Sequence, residues 1–514
     1  MKDSHQNSED AGPRSGLSEK ITKKSRRWIL AALMCTMMLA AMDNYIVSTA
    51  VPQIVGDLGG FSLFSWVFSI YLLAQTVTIP IYGKLSDLFG RKPILIFGTL
   101  VFLLGSAACG AAWDMKSLIA FRGLQGFGAG AAMATISTLA GDLYSVRERA
   151  VIQGWLSSVW GIAALTGPML GGFFAEYISW RWIFFINLPI GAVALLMITV
   201  FLHERVESTT PRIDYGGAAL ILASVGLLIF GLSQGGQAWA WFSAESIGIF
   251  AFTALLIAIT VIVERRASDP IIPGWIWRRR EIAMANLAAL CLGLAMMAPN
   301  VYLPTFMQSV RGLGAIGAGM VLASMSIGWP TASALSGQLY IRIGFRDTSL
   351  IGATLVVFAA FGFVLIPSPQ PTWLIVLDQI ILGAGFGLLS TPLLVGVQSV
   401  VGWSQRGVTT GANMFSRYLG QSIGAAMFGA IFNSVVLRRL KEAPAEIVPE
   451  LPAAVDGVVA ALNQEETSAA TKSFLRDAID TATTSLFLTM AIIGIISILV
   501  LLLAPRQFPK ELRE

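Results

Sequence analysis

The chain of 514 residues is 55% hydrophobic but only 13% charged, whereas a soluble domain carries about 25% charged residues. This low charge content argues against an ordinary soluble protein and predicts an all-α polytopic membrane protein. The net charge of +5 comes from basic residues scattered among short loops, which is not the pattern of a nucleic-acid-binding surface. We therefore expect contacts with a lipid bilayer and no nucleic-acid partner.

The sequence has no pattern typical of a metal site or of ATP hydrolysis. Its three cysteines lie inside apolar segments and its two histidines are far apart, so neither a disulfide framework nor a metal site is predicted. The phosphate-binding pattern Gly-x-x-x-x-Gly-Lys-Ser/Thr does not occur. We expect no enzymatic activity and no cofactor, and any uphill work must draw on an ion gradient or on another subunit.

Fourteen segments contain the roughly 20 mostly apolar residues that a membrane-spanning helix requires. The seventh and eighth of them are joined by a short connector and carry few polar residues. The fourteen predicted spans lie near residues 28–50, 64–82, 93–112, 117–140, 151–173, 182–202, 214–234, 246–264, 282–307, 315–341, 348–366, 373–397, 407–434 and 482–503.

Lysine and arginine are concentrated in the loops on one side of these spans, which the positive-inside rule identifies as the cytoplasmic side. We therefore expect both termini to be cytoplasmic in a plasma or inner membrane. Residues 1–22 form a disordered tail in this interpretation, and residues 506–514 form a second tail. The segment 435–481 then lies outside, where it could hold a short amphipathic helix or hairpin. The short loops on that side contain only three basic residues: Lys116, Arg181 and Arg311.

The loop Gly83–Pro93 recurs in degenerate form at Gly337–Arg346, and further downstream Arg149 has a counterpart in Arg406. Matches at constant offsets indicate that spans 1–6 repeat as spans 9–14, with spans 7–8 inserted between them. Two related halves that move against each other are typical of secondary transporters. The predicted units are an N-terminal six-helix bundle at 23–203, an inserted helix pair with linkers at 204–281, and a C-terminal six-helix bundle at 282–505.

The first copy of the repeated loop has the residues of a gate. Its two glycines permit tight turns, and its aspartate can cap the N-terminus of a neighbouring helix. Its arginine and second lysine can reach a carboxylate at the end of span 4. Plain anchoring of the loop on the basic side of the membrane is the alternative. The candidate gate residues are Gly83, Asp87, Gly90, Arg91, Lys92 and Asp142.

Ionisable residues inside predicted spans are costly in lipid and indicate function. Asp43 in span 1 and Arg122 in span 4 lie at a similar depth in the outer half of the bilayer, so we expect them to pair. Such a pair can act as a proton switch, because Asp43 can take up a proton once Arg122 is withdrawn. A static ion pair that orients helices is the alternative. We also expect Asp378 and Arg417 to pair, with Asp378 as a second proton site or an acidic contact for a cationic substrate.

Span 5 is rich in glycine around one proline. The proline removes a backbone hydrogen bond and can kink the helix, and the glycines allow close contact with a partner helix, for which span 13 is the candidate. We interpret the segment as a hinge or a sealing seam between the halves; close packing without motion is an equally physical alternative. Its residues are Gly161, Gly167, Pro168, Gly171 and Gly172.

Aromatic, methionine and polar side chains occur on the spans expected to line a central cavity. Soft apolar surfaces with a few polar groups suit varied amphipathic ligands, although each residue alone is more typical of helix packing. The candidates are Tyr45, Trp66, Gln75, Gln125, Trp160, Met296, Met297, Asn300, Tyr302, Arg417 and Gln421.

Together these features resemble the major facilitator superfamily, and more narrowly its fourteen-helix drug:proton antiporter branch. The loop Gly83–Pro93 is similar to the signature loop of the superfamily, and Arg122–Gly126 resembles its fourth-helix motif linked to proton coupling. The Gly-Pro-x-x-Gly-Gly run of span 5 resembles the motif associated with exporters. The segment Met42–Pro52 resembles the first-helix motif of the branch, with Tyr45 where that pattern often has Thr and Ser48 where it often has Asn.

The resemblance implies two six-helix bundles that rock about a central cavity, with the extra helix pair beside them. It implies that protons entering down their gradient drive export of hydrophobic, often cationic compounds, with Asp43 as proton acceptor, Arg122 as its partner and Asp378 as a secondary site. The main alternative is a dedicated exporter of one endogenous metabolite, such as an antibiotic, siderophore or lipid-like product. A further alternative is a non-transporting membrane scaffold, which would keep its function after neutralisation of Asp43 and Arg122. We expect a monomer that acts on small amphipathic substrates.

Overall fold

The computed structural model of the protein describes residues 23–59, 63–204, 214–235, 239–267, 269–365, 371–452 and 467–506, together with isolated positions from 455 to 464. These residues fold almost entirely into helices and, apart from one isolated backbone bridge, contain no strand. The predicted tails lie outside the described residues, except for Arg506.

The first half consists of long helices joined by short turns. Two of the turns use side chains to begin the next helix: Asp114 accepts a hydrogen bond from the backbone N–H of Ser117, and Ser145 accepts one from that of Glu148. The helices are α1 (Lys23–Thr49), α2 (Val51–Leu58), α3 (Phe64–Phe89), α4 (Arg91–Gly110), α5 (Met115–Leu143), α6 (Val146–Tyr177), α7 (Trp182–Phe185) and α8 (Asn187–Phe201).

The inserted pair and the second half complete the fold. A π-helical turn at Ala298–Tyr302 follows α12, at a point where Pro299 cannot donate a helical hydrogen bond. The helices are α9 (Tyr215–Gln234), α10 (Ala244–Arg266), α11 (Trp275–Arg278), α12 (Arg280–Met297), α13 (Leu303–Ser309), α14 (Ala315–Ala323), α15 (Met325–Ile343), α16 (Phe345–Leu365), α17 (Thr372–Ser399), α18 (Arg406–Lys441) and α19 (Ala469–Leu503).

Twelve helical stretches of the described chain are long and apolar enough to cross a membrane. The predicted count of fourteen spans is therefore not confirmed. Helices do lie at the other two predicted positions, namely α5 and the broken pair α14 and α15, but they are not among the twelve. Helix α5 is largely buried and carries Arg122, Gln125 and several glycines, so its composition suits contact with protein rather than with lipid.

Two apolar cores correspond to the two halves. One is built from the helices of the first half and the other from the helices of the second half. Met414 and Tyr418 of α18 are exceptions, because they pack into the first core. The two halves are therefore separate bundles that meet at specific side chains.

Helices α18 and α19 extend into the segment 435–481. Helix α18 continues to Lys441 and α19 begins at Ala469, and an apolar cluster around Val436 packs between them. Most of the stretch 453–466, where an amphipathic helix or hairpin would lie, is outside the described residues.

The repeated loop has the same backbone turn in both copies. Gly90 joins α3 to α4 with φ of 91°, and Gly344 joins α15 to α16 with φ of 93°. With ψ near 160°, both residues occupy a region that is essentially restricted to glycine. The repeat seen in the sequence is thus also a repeat of backbone geometry.

Glycines bring helices of the two halves into close contact along two seams. The prediction that Gly83 forms a turn is wrong, because Gly83 lies inside α3. A Cβ added there would lie 2.6 Å from the backbone oxygen of Gly407 on α18. The equivalent seam joins α15 to α6, since a Cβ added at Gly337 would lie 2.6 Å from the Cβ of Ala150. Close backbone approach of this kind requires small residues on both helices.

We predict that Gly90→Ala lowers the stability of the folded protein by about 1–3 kcal/mol, because alanine must adopt the glycine-only backbone conformation. The measurement is the thermal midpoint of the purified protein in detergent. The control is Gly172→Ala inside α6, where an added Cβ meets nothing within 4 Å and alanine favours the helix. Equal midpoints for the two variants would contradict the role assigned to Gly90.

Candidate functional site

Asp43 of α1 and Arg122 of α5 form an ion pair in the core of the first half. Arg122 Nη1 donates to Asp43 Oδ2, and neither side chain is more than 1% exposed. Gln125, one turn further along α5, donates from Nε2 to Asp43 Oδ1 over 2.9 Å and accepts from Arg122 Nη1 over 2.8 Å. The expected contact is present, and both oxygens of the carboxylate accept a hydrogen bond.

Arg122 is also held by backbone and aromatic groups. Its Nε donates to the carbonyl oxygen of Val67 over 3.1 Å, and its guanidinium carbon lies 4.2 Å from the ring centroid of Tyr71 and 6.0 Å from that of Phe184. Hydrogen bonds and the π faces of rings both stabilise a buried cation. All these partners belong to the first half, so this half alone supplies the contacts of the pair.

The second expected ion pair is not formed. Asp378 Oδ2 accepts from Gln379 Nε2 over 3.0 Å, and no ion pair joins Asp378 to Arg417 among the described residues. A Cβ added at Gly362 would lie 3.3 Å from Asp378 Oδ1, so Asp378 points towards α16. Arg417 points instead into a central cavity. The two side chains lie on helix faces that do not meet.

A charged cluster joins the two halves at one end of the molecule. The buried Arg91 donates from Nη2 to Asp87 Oδ1 over 2.8 Å and from Nε to Asp142 Oδ2 over 2.9 Å. Asp87 also accepts from the backbone N–H groups of Gly407 and Val408, over 2.9 and 2.8 Å, at the start of α18. A carboxylate is favoured there by the helix dipole. A loop of the first half therefore caps a helix of the second half.

Two residues outside the predicted gate set belong to the same cluster. Arg406 donates from Nη1 to Asp142 Oδ1 over 3.0 Å. Trp403 accepts from Arg91 Nη2 at its carbonyl oxygen over 2.6 Å, and its ring centroid lies 3.8 Å from the Arg91 guanidinium carbon. The match of Arg406 with Arg149 was the available signal in the sequence. Below, the gate cluster means Asp87, Arg91, Asp142, Trp403 and Arg406, and the loop end means the end of the molecule where they lie.

Lys92 does not take part in the gate cluster. Its backbone N–H and that of Arg91 donate to the two carboxylate oxygens of Glu204, over 2.7 and 3.0 Å, so that Glu204 caps α4. The ammonium group of Lys92 donates to the carbonyl oxygen of Thr199 over 2.9 Å. Lys92 thus helps to fix the start of α4 against the end of α8.

A cavity of about 310 Å³ lies between the two halves, with walls from α1, α3, α5 and α6 on one side and α12, α15, α17 and α18 on the other. Most of its lining side chains are apolar, aromatic or thioether groups, with amides and hydroxyls between them. Among the described lining residues, Arg417 carries the only charge. The predicted residues that line the cavity are Tyr45, Gln75, Trp160, Met296, Met297, Asn300, Arg417 and Gln421.

Three predicted cavity residues lie elsewhere. Trp66 packs on Phe230 of α9, with 5.4 Å between ring centroids, and Tyr302 packs on Phe432, with 5.0 Å. Gln125 is fully buried in the hydrogen bonds of the ion pair. Sequence spacing places a residue on a span, but the neighbours of the helix decide which face is turned to the cavity.

Span 13, which is helix α18, was the predicted partner of the glycines of span 5. The structure instead places Gly161 and Gly167 of α6 against α15 and α1. A Cβ added at Gly161 would lie 2.7 Å from the Cβ of Ser326 on α15, and one added at Gly167 would lie 2.8 Å from a side chain of α1. The seam therefore joins the two halves through α6 and α15. The remaining residues of the motif also belong to α6: Pro168, the buried Gly171, and Gly172, where an added Cβ meets nothing within 4 Å.

Comparison with known proteins gives consistent relatives. Residues 33–425 match the family model described as Major Facilitator Superfamily. Multidrug resistance protein 3 of Bacillus subtilis (strain 168) is 36% identical over 423 residues, covering 82% of this chain and 82% of that protein. Multidrug transporter protein MdtP of the same strain is 33% identical over 449 residues, covering 87% of this chain and 82% of that protein.

A solved structure shows the same fold. The crystal structure of the human organic anion transporter MFSD10 (TETRAN) is similar with a TM-score of 0.59 at 15% identity, covering 91% of this chain and 99% of that one. At this level of identity the likeness concerns the fold alone.

We predict that Asp43→Asn and Arg122→Gln each destabilise the protein by about 3–5 kcal/mol, because each leaves one buried charge unpaired. The double variant should recover part of this loss. The measurement is a thermal or denaturant unfolding series on purified protein. As a control, Asp477→Asn breaks a more exposed ion pair with Arg439 and should change stability by less than about 1 kcal/mol. Strictly additive losses in the double variant would show that the two charges are not coupled.

The cap at the start of α18 gives a second prediction. Asp87→Ala should weaken closure of the loop end by about 1–2 kcal/mol, which corresponds to about a fivefold to thirtyfold change in the open population. A single cysteine at Thr410, a fully buried position near this end, should then react faster with a polar maleimide. The control is Asp269→Ala, which removes the ion pair with Lys84 and leaves the cap intact. Identical labelling rates in both variants would contradict the role of the cap.

Proposed function

The chain belongs to the Major Facilitator Superfamily and is an integral membrane protein, and we propose that it is a proton-coupled exporter of small amphipathic compounds. One observation carries the proposal: a buried carboxylate–arginine pair joins α1 to α5, and both of these helices also line a cavity between the two halves. The relatives named above are a multidrug resistance protein and a multidrug transporter, which supports efflux as the direction of transport.

Proton coupling would act through Asp43. Protonation of its carboxyl group removes the negative charge that holds Arg122 and changes the hydrogen bonds of Gln125. Asn44 and Tyr45 follow Asp43 directly on α1 and line the cavity. A shift of α1 on protonation would therefore change the cavity wall itself. In this proposal Asp378, which is buried without a basic partner among the described residues, is a secondary proton site.

Alternating access would use the two glycine seams and the gate cluster. At the loop end, the cap that Asp87 places on α18 and the bridge from Asp142 to Arg406 hold the halves together. Rocking of one bundle on the other along α3–α18 and α6–α15 would break these contacts and open the cavity at this end. Inflow of one positive charge across 100 mV supplies about 2.3 kcal/mol for this cycle.

We assign the loop end to the cytoplasmic side, since basic residues are concentrated in its loops. Both termini then lie in the cytoplasm, and the membrane is the plasma or inner membrane. The oligomeric state in this proposal is a monomer. Substrates are released on the opposite side. The described cavity lining contains no carboxylate that would favour a cationic substrate.

The test is uptake of fluorescent amphipathic compounds into energised inside-out vesicles that contain the protein. The panel holds a cationic, a neutral and an anionic dye. We expect at least one dye to accumulate, accumulation to collapse with an uncoupler, and Asp43→Asn to lose it. Asp477→Asn serves as control, since this carboxylate is exposed and outside the site.

Each of the other outcomes points to a different mechanism or substrate range for this protein. Uncoupler-sensitive uptake that persists in Asp43→Asn would move the proton site, and Asp378→Asn is then the variant to measure. Absence of uptake for every dye by folded protein would contradict a broad exporter and favour export of a single metabolite. Full activity after neutralisation of both Asp43 and Arg122 would exclude the coupling mechanism proposed here.

A further inference from the structure

The cavity has an unbalanced charge. Among its described lining residues Arg417 is basic and none is acidic. Asp43, which directly precedes the lining residue Asn44, is fully buried and already paired with Arg122. Asp378, the partner expected for Arg417, is turned towards α16. The cationic charge in the cavity is therefore left without a counter-ion from the described part of the protein.

Arg417 is engaged by the protein only in part. Its buried Nε has no hydrogen-bond partner, whereas its guanidinium group interacts with Tyr418, whose ring centroid lies 5.4 Å from the guanidinium carbon. Asn413 and Gln421, one turn before and after it on α18, also line the cavity. The three side chains share one face of the helix at intervals of four residues. They form a polar strip along α18, beside the lining residues Met414 and Tyr418.

The opposite wall offers a second unsatisfied group. Gln75 of α3 lines the cavity and is 1% exposed, yet neither its amide nitrogen nor its amide oxygen has a hydrogen-bond partner. A buried amide without partners is costly unless a ligand or water completes its hydrogen bonds. Gln75 and Arg417 belong to different halves, so one polar ligand group that contacts both would bridge them.

The rest of the lining suits an apolar body. Aromatic rings and thioethers from both halves face the space and can adapt to ligands of different shape. The side chains concerned are Met37, Met133, Trp160, Met296, Met297 and Trp329.

We infer that the cavity binds amphipathic organic anions, with an apolar aromatic or aliphatic body against the methionines and tryptophans and a carboxylate or similar oxyanion on Arg417. An arginine and an oxyanion form charge-assisted hydrogen bonds, which are about twice as strong as neutral ones. A cation in the same place would be repelled by Arg417 and would find no carboxylate in the described lining. This inference rests on the proposed export function and specifies its substrate class, in contrast to the cationic compounds that the family resemblance implies.

The experiment compares two probes with the same apolar body and opposite charge. Purified full-length protein is titrated with 1-pyrenebutyrate and with a pyrenebutyl trimethylammonium salt, and binding is followed by energy transfer from the tryptophans to pyrene. We expect the anion to bind at least about tenfold more tightly than the cation. Arg417→Gln should weaken anion binding by about tenfold or more and remove the preference, whereas Arg417→Lys should retain part of it.

The matched control is Arg438→Gln, which removes an exposed arginine from the same helix outside the cavity and should leave both affinities unchanged. Tighter binding of the cation by the wild-type protein, or an unchanged anion affinity in Arg417→Gln, overturns the inference. The wild-type comparison decides the question even if Arg417→Gln does not fold. Since binding is measured without a proton gradient, loss of proton coupling in the vesicle assay would leave this result intact, and the two failures remain distinguishable.

Discussion

The requirement that buried charges be paired is the constraint on which the rest of this structure depends. The side chains of Asp43, Arg122, Arg91 and Asp142 are at most 1% exposed, and each contacts an opposite charge and further hydrogen-bonding groups. A buried charge without such partners costs several kcal/mol. These pairs therefore fix α1 against α5 inside the first half, and they fix α3, α4 and α5 against α18 at the loop end. The parts of the structure that the proposed mechanism uses, namely the cavity and the two glycine seams, are formed by helices that these charged contacts hold in place.

Features that depend on one stretch of sequence could be predicted, and features that depend on the rotation of helices could not. Long apolar runs predicted the helices. The charges of Asp87 and Arg91 predicted a cluster of polar contacts at this loop, because charged groups in an apolar chain must find charged or polar partners. Asp378 and Arg417 do not meet, because the position of a residue along a span does not decide which faces of two helices meet. Likewise, glycine content showed that Gly161 packs closely, but only the assembled bundle selects α15 as its partner.

The cavity charge also affects the energetics of the proposed exchange. One proton moving in for one monovalent cation moving out transfers no net charge across the membrane. One proton moving in for one monovalent anion moving out transfers two charges in the same sense, each of which contributes about 2.3 kcal/mol per 100 mV. With Arg417 as the charge of the cavity, an interior-negative potential drives the anion outward together with the pH gradient.

The inserted helix pair gives the two seams different surroundings. Helix α9 packs against both α3 and α18, so it covers the seam where these helices meet. Among the described elements, neither helix of the inserted pair makes a comparable contact with the seam of α6 and α15, where α6 exposes Ile162, Leu165 and Met169. The inserted pair therefore covers one of the two seams and leaves the other uncovered. For a hydrophobic compound dissolved in the bilayer, the inserted pair covers the approach to the boundary between the halves at the α3–α18 seam, and it leaves the apolar surface of α6 at the other seam uncovered.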